Sequence, residues 1–184
     1  AGSARTGGPS CHERTSETNL ESRSVMTTDA ILLERDLSSV SPPPARFPGT
    51  VLMPFDRERH IPEARDLLNT AYMTGLGDVM EAAVWWQMIE SDEEFDPALL
   101  FVLADEPTGR MIGFAHCWLS GFIKDIAIHQ DYQRLGYGSY LMSVIFDRFV
   151  EMGFHMVRLK VRPNNSAVGF YERLGMQQTA AEPA

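Results

Sequence analysis

Seven residues, Gln133, Arg134, Leu135, Gly136, Tyr137, Gly138 and Ser139, stand between a short apolar run and an amphipathic one. Phe122, Ile123, Ile126 and Ile128 give the first run the character of a largely buried strand. After Ser139, Leu141, Ile145, Phe149 and Met152 recur on one helical face, and Gly153 fits as the stop. Two glycines at a strand-to-helix junction let the backbone approach a ligand closely. The first N–H groups of a helix lack partners within it. Together with the positive end of the helix dipole they form an anion site. The stretch therefore reads as a phosphate cradle. A dinucleotide fingerprint would need a third glycine where Leu141 stands, and a nucleoside-triphosphate loop would need a Gly-Lys-Ser/Thr triplet that this turn lacks. What remains is Gln-Arg-x-Gly-x-Gly directly after a strand.

The bulk of the chain must position that cradle. With 184 residues and 44% hydrophobic content, it can bury the core of one globular domain. Sixteen Lys and Arg against 25 Asp and Glu give a net charge of −9. That balance argues against nonspecific binding to nucleic acid or an anionic membrane. It suits a cationic small molecule or basic peptide better, although solubility alone accounts for it. Two cysteines, Cys11 in a polar tail and Cys117 in an apolar run, argue against a disulfide framework and for a reducing, cytoplasmic setting. No apolar run approaches the length of a membrane span, and the N-terminus lacks the apolar core of a signal peptide. No metal-ligating set is expected.

In chain order, residues 1–25 lack periodicity and read as disordered or as an expression scar. Residues 26–49 hold one apolar cluster, Ile31-Leu32-Leu33, then the proline-rich SPPPARFPG. The whole of 1–49 is thus expected to be a tail, with the domain spanning 50–180. A strand is predicted over 50–55. A helix is predicted over 61–73 with Pro62 in its first turn, and a second over 78–89 capped by Asp78. Trp85 and Trp86 in the second helix read as core, or as one wall of an acceptor pocket. The acidic run 90–96 reads as a solvated face, or as an attractor of a cationic acceptor. A hairpin over 99–119 turns at Asp105-Glu106-Pro107-Thr108-Gly109. Beyond the cradle helix come a strand over 155–161 and a helix capped by Asn164 or Asn165 and ended by Gly175. A final short strand is predicted over 176–179.

Gln-Arg-x-Gly-x-Gly resembles the pyrophosphate-binding signature of the GNAT superfamily of N-acetyltransferases. Residues 161–176, VRPNNSAVGFYERLGM, look like the family's later motif, a strand followed by N-x-x-A-x-x-x-Y-x-x-x-G. The spacing between the two leaves room for one helix and one strand, as the family requires. The resemblance covers about residues 50–179. It implies a mixed α/β fold with a central, mostly antiparallel sheet splayed at its fourth strand and helices on both faces. It also implies acetyl-CoA as donor. Backbone N–H groups of Gln133, Arg134, Leu135, Gly136, Tyr137, Gly138 and Ser139 would hold the diphosphate. The backbone of Ile126, Ala127 and Ile128 would pair with the pantetheine arm, with Asn164, Ala167 and Tyr171 also against the cofactor.

Acetyl transfer to an amine sets further demands. The amine is mostly protonated near neutral pH and must lose a proton before attack. The carbonyl oxygen gathers charge and needs a donor, and the departing thiolate leaves more easily if an acid protonates it. Tyr171 matches the family's acid position, and it also lies in an apolar helical stripe. Asp125 stands where the family often has an acidic residue and is the candidate base. It could equally pair with Lys124, Arg158 or Lys160. His116 and His129 are outside candidates, and a water chain is a further route. Cys117 is placed by neither motif to serve as nucleophile, so transfer would be direct. The acceptor is expected to be an amine on a small molecule, with a cationic one favoured if the acidic run lies near it. A protein amine is second, and an acyl-CoA-binding sensor is the non-catalytic alternative. Only one short strand's worth of chain follows the last helix. The acceptor side is therefore left open, or is completed by a second copy of the chain or by the N-terminal segment.

Overall fold

The computed structural model describes residues 30–73 and 78–179. The expectations for residues 1–29 and for the last five residues, and the link at 74–77 between the two predicted helices, lie outside these. The elements are β1 (Ile31–Asp36), β2 (Thr50–Met53), α1 (Arg57–Tyr72), α2 (Ala82–Glu90), β3 (Leu100–Asp105), β4 (Met111–Trp118), β5 (Phe122–Ile128), α3 (Tyr137–Glu151), β6 (Met156–Val161), α4 (Val168–Arg173) and β7 (Gln177–Gln178). The strands form one sheet in the order β2-β3-β4-β5-β6-β1-β7. All neighbours are antiparallel except β5 and β6. The fold is mixed α/β, as the two motifs imply.

Two cores sandwich the sheet. On one side α3 lays Leu141, Met142, Ile145, Phe146 and Phe149 against Leu33, Ala115, Ile123 and Leu159. On the other, α1 and α2 bring Leu67, Leu68, Trp85, Trp86 and Ile89 against Val102, Phe114 and Ala127. Alternate strand residues serve opposite faces, so each core draws on every second position.

The expected boundary at Thr50 does not hold. Residues 31–36 are no tail but a strand, inserted between β6 and β7, with Leu33 opposite Leu159 on one side and Gln178 on the other. The apolar triplet Ile31-Leu32-Leu33 carries this strand. It was too short to separate from a chance cluster without knowing that β6 needed a neighbour. The N-terminal segment thus supplies the strand between β6 and β7.

Local chemistry moved other ends. α1 starts four residues early because Asp56 caps it, its Oδ1 accepting from Arg59 N at 2.9 Å, while His60 Nδ1 accepts from Asp56 N at 2.9 Å. Pro62 consequently lies inside the helix rather than in its first turn. Asp78 does not cap α2. Its carbonyl accepts from Arg65 Nη2 at 2.6 Å, Asn69 bonds Met80 N and O, and Glu81 is the cap instead. The strand predicted over 50–55 ends at Met53, and α3 begins two residues before Ser139. Neither Asn164 nor Asn165 caps α4. Ala167 holds the cap position, and Asn165 Oδ1 accepts its N–H at 2.8 Å.

The buried position of β1 sets a stability expectation. Leu33→Ala should cost about 2–5 kcal/mol, as for other fully buried leucines. Leu52→Ala on edge strand β2, where Leu52 is 39% exposed, should stay within ~0.5 kcal/mol. Urea midpoints of the two variants check this. Equal, small losses would mean that β1 does not contribute to the core.

Candidate active site

β5 is bound to β4 along its length but meets β6 only at Phe122↔Arg158 and Ile123↔Leu159. Beyond Ile123 the two parallel strands separate. The backbone edge of 125–128 facing β6 is therefore left without a ladder partner, the splay that the resemblance implies. A bulge lies just where they part. Asp125 opposes His116 and Ile123 opposes Cys117, so Lys124 is an extra residue in β5. An extra residue reverses which face the following side chains take. Ile123 packs in the α3 core, yet Asp125 reaches the hydroxyl of Tyr72 on α1, the opposite side.

The turn after β5 is held by its own residues. The Gln133 side chain donates to Ile128 O at 3.0 Å, tying the loop to the strand end. Arg134 adopts φ 61° and Gly136 φ +94°, so the chain passes through left-handed conformations to enter α3. Gly136 is the N-cap and offers no side chain to the first turn, leaving the amides of Tyr137, Gly138 and Ser139 uncapped. A Cβ on Gly136 would also meet Phe47 Cζ at 3.0 Å, whereas one on Gly138 would find ordinary contact with Phe170 at 3.4 Å.

These elements enclose a cleft of about 1190 Å³. Among the predicted residues it gathers Ile126, Ala127, Ile128, Gln133, Arg134, Gly136, Gly138, Ser139, Ala167 and Tyr171. Leu135, 60% exposed, does not line it, and neither does Tyr137, whose ring packs against Phe47 and Tyr132. Asn164 is also off the wall, and Asn165 stands there in its stead. Arg110 and Arg173 join Arg134 around the cleft, and Arg110 donates to His129 Nε2 at 2.9 Å.

A smaller cavity of about 460 Å³ lies on the other side of the splay. Tyr72, Ile126, Asn165 and Tyr171 line both, so the two spaces meet there. Asp125 and Trp85 line only the smaller one. Trp85 thus serves both readings open at the sequence level, core and pocket wall. None of residues 90–96 lines either cavity. Glu90 pairs with Arg57, and Glu94 accepts from Ser120 N.

The electrostatics of the junction follow from burial and neighbours. The expected lysine and arginine pairings of Asp125 do not form. Its Oδ1 accepts from Tyr72 Oη at 2.8 Å, and its Oδ2 is 3.8 Å from His116 Nδ1. That second separation exceeds hydrogen-bond reach, which makes Tyr72 the firmer partner. Burial alone would raise the Asp125 carboxyl, but His116, Tyr72 and Lys124 outweigh it and hold the carboxyl below the usual aspartate range. Burial, and then the charge of Asp125, pushes Tyr72 far up. Burial pushes Tyr171 up to about 12, so its phenol keeps its proton through the neutral range. The Tyr171 hydroxyl makes no hydrogen bond among the described residues. Cys117 is fully buried and lines neither cavity, and burial raises its thiol well above the usual range.

Tyr72, Arg65 and Asn165 were missed in the sequence. Tyr72 sits four residues after the buried Leu68, on the apolar stripe of α1. An aromatic with a polar tip on such a stripe needs a partner, and that signal was available. Arg65 carried no signal. It is buried beside the Tyr72 and Trp85 rings, at 5.8 and 5.7 Å, and binds Asn69 and Asp78.

Residues 61–176 match the model of the Acetyltransferase (GNAT) family, well over half of the chain. The chain belongs to that family. Among solved structures it is similar to a GCN5-related N-acetyltransferase from Sphaerobacter thermophilus, with 19% identity and a TM-score of 0.67, covering 82% of this chain and 48% of that one. It therefore spans about half the length of that protein. It is also similar to the ribosomal-protein-S18-alanine N-acetyltransferase from Escherichia coli, with 22% identity, a TM-score of 0.56, and 71% and 79% of the two chains covered. A third is the NatC complex bound to Gag peptide and CoA, with 19% identity, a TM-score of 0.54, and 68% and 82% covered. At these identities the likeness establishes the fold.

Two expectations follow. Gly136→Ala should lose about 1–2 kcal/mol from the left-handed backbone alone. Gly138→Ala should fold within ~0.5 kcal/mol of the parent but bind coenzyme A at least about tenfold more weakly, a loss near 1.4 kcal/mol. Urea unfolding and calorimetric titration separate the two. The second concerns pH. A carboxyl with a lowered folded pKa contributes stability that is present above its unfolded value, near ~3.9, and is lost as pH falls through the folded one. Tyr72→Phe removes one lowering contact. The acid limb of stability should therefore be shallower in Tyr72→Phe and in Asp125→Asn than in the parent, as read from urea midpoints between pH 7 and 3.

Proposed function

We propose that the protein transfers an acetyl group from acetyl-CoA to a primary amine of a small molecule, directly, within a ternary complex. The observation that carries this reading is the meeting of the two cavities at Tyr171, one beside an uncapped helix N-terminus and one beside Asp125. The larger cleft fits the donor. Amides 137–139 at the start of α3 and the arginines around it suit a diphosphate and a phosphate. The open edge of β5 offers backbone groups to an extended amide-bearing arm, as an added strand would find them.

Bound acetyl-CoA supplies the activated thioester. Tyr171, protonated at neutral pH, gives its proton to the departing sulfur. Asp125 remains ionised and holds the acceptor's amine at the inner end of the smaller cavity. Its lowered pKa makes it a weak base, so its larger contribution is to bind and orient the nitrogen, with water carrying the proton out. Cys117 lies in the core away from both cavities, in keeping with the absence of an acyl-enzyme step.

A thiol-release assay with acetyl-CoA across a broad amine panel tests the reading. Tyr171→Phe should lower kcat by about 10²-fold or more while leaving coenzyme A affinity unchanged. Coenzyme binding with no acceptor above background hydrolysis would instead support a non-catalytic acyl-CoA-binding module.

A further inference from the structure

The smaller cavity has a charge that the chain as a whole does not. The molecule carries −9, yet the sheet wall of this cavity presents Lys124, Lys160 and Arg162. Each is there for a structural reason. Lys124 is the bulge residue, and Lys160 follows Leu159, the last residue of β6 to pair with β5. On β6, Val157, Leu159 and Val161 are buried toward α3, which leaves Arg158, Lys160 and Arg162 for the opposite face. Glu34 neutralises Arg158 across the sheet. Neither Lys124 nor Lys160 has an ion pair among the described residues. They follow the last paired residues of the two parallel strands and line the same cavity, and like charges sharing one cavity repel unless something negative lies between.

The rest of the cavity has a different character. Met80, Trp85 and Met88 form an apolar wall from the α2 side. Asp125 and Asp78 are its carboxylates and Arg65 is a further cation on its wall; Tyr72, which lines both spaces, occupies one oxygen of Asp125. A ligand that satisfied all three surfaces would put an ammonium toward Asp125, a hydrocarbon body against the methionines and an anion toward the lysines. A diamine or polyamine would set its second charge against Lys124 and Lys160.

We propose that the acceptor is an amino-carboxylate with an apolar body, its carboxylate held by Lys124 and Lys160 with Arg162. This rests on the acyl-transfer reading and narrows its substrate class. It also replaces the cationic acceptor expected from the acidic run, which lines neither cavity.

Matched acceptors test it by thiol release with acetyl-CoA. Leucine and methionine would be compared with their amides, with diamines of similar length, and with short peptides bearing the same N-terminal residue and an amidated C-terminus. The carboxylates should exceed the amides in kcat/KM by about tenfold or more and the diamines by a larger factor. The carboxylate-to-amide ratio should fall about tenfold in Lys160→Gln and further in the Lys124→Gln, Lys160→Gln double variant. Arg158→Gln, outside the cavity, should leave the ratio unchanged. Both lysines are exposed, so folding should survive their replacement, and circular dichroism checks this. Preference for amides, peptides or diamines, or a ratio indifferent to both lysines, would overturn the inference while acyl transfer stood. Absence of thiol release with every amine, despite coenzyme A binding, would remove acyl transfer itself and this inference with it.

Discussion

The separation of β5 from β6 after Ile123 and Leu159 is the constraint on which the rest depends. A sheet normally satisfies every backbone group of its inner strands. Here a central strand keeps one edge without a strand partner from Asp125 to Ile128, in the middle of the molecule. Unpaired N–H and C=O groups are tolerated only where water or a ligand can reach them. The opening of two cavities at this point is the same fact seen from the solvent side. The bulge at Lys124 is part of the device, since it lets Asp125 face Tyr72 instead of the α3 core.

Holding the gap open requires rigid surroundings. The α3 core and the α1–α2 core grip the sheet from both faces with fully buried side chains such as Phe114, Phe146, Phe149 and Trp85. Beyond β6 the sheet continues through β1, a strand from far upstream in the chain. That addition gives β6 a full antiparallel partner over residues 156–161. With its outer edge bonded to β1, β6 can part from β5 on the other edge without losing its own ladder.

The electrostatics divide along the same line. On the cleft side stand helix amides and arginines, which suit phosphates. On the other side Asp125 lies beside Lys124 and Lys160 within one small cavity. Tyr171 belongs to both spaces, and its raised pKa keeps a proton available where they meet. Net charge says little about such a site, because only Glu63, Asp66, Asp78 and Asp125 among the described acidic residues line the two cavities.

The sequence by itself determined the local parts. The strand-turn-helix around Gln133 to Ser139 was legible because glycine conformation, helix-end chemistry and apolar spacing are properties of a few adjacent residues. Tyr171 and the later motif were legible for the same reason, as were the hairpin and most helix cores. What only the tertiary structure decided depends on residues that meet across the chain. β1 could not be recognised from three apolar residues, because its stability comes from β6 and β7, more than a hundred positions away. The partner of Asp125 was not readable, since a one-residue bulge reverses the face of a side chain and leaves no mark in hydrophobic alternation. The same bulge, with the parting of the strands, put Lys124 and Lys160 on the wall of the smaller cavity and shaped its charge. Sequence patterns report the preferences of neighbours along the chain, and this site is made where two strands that are not neighbours in the chain stop touching.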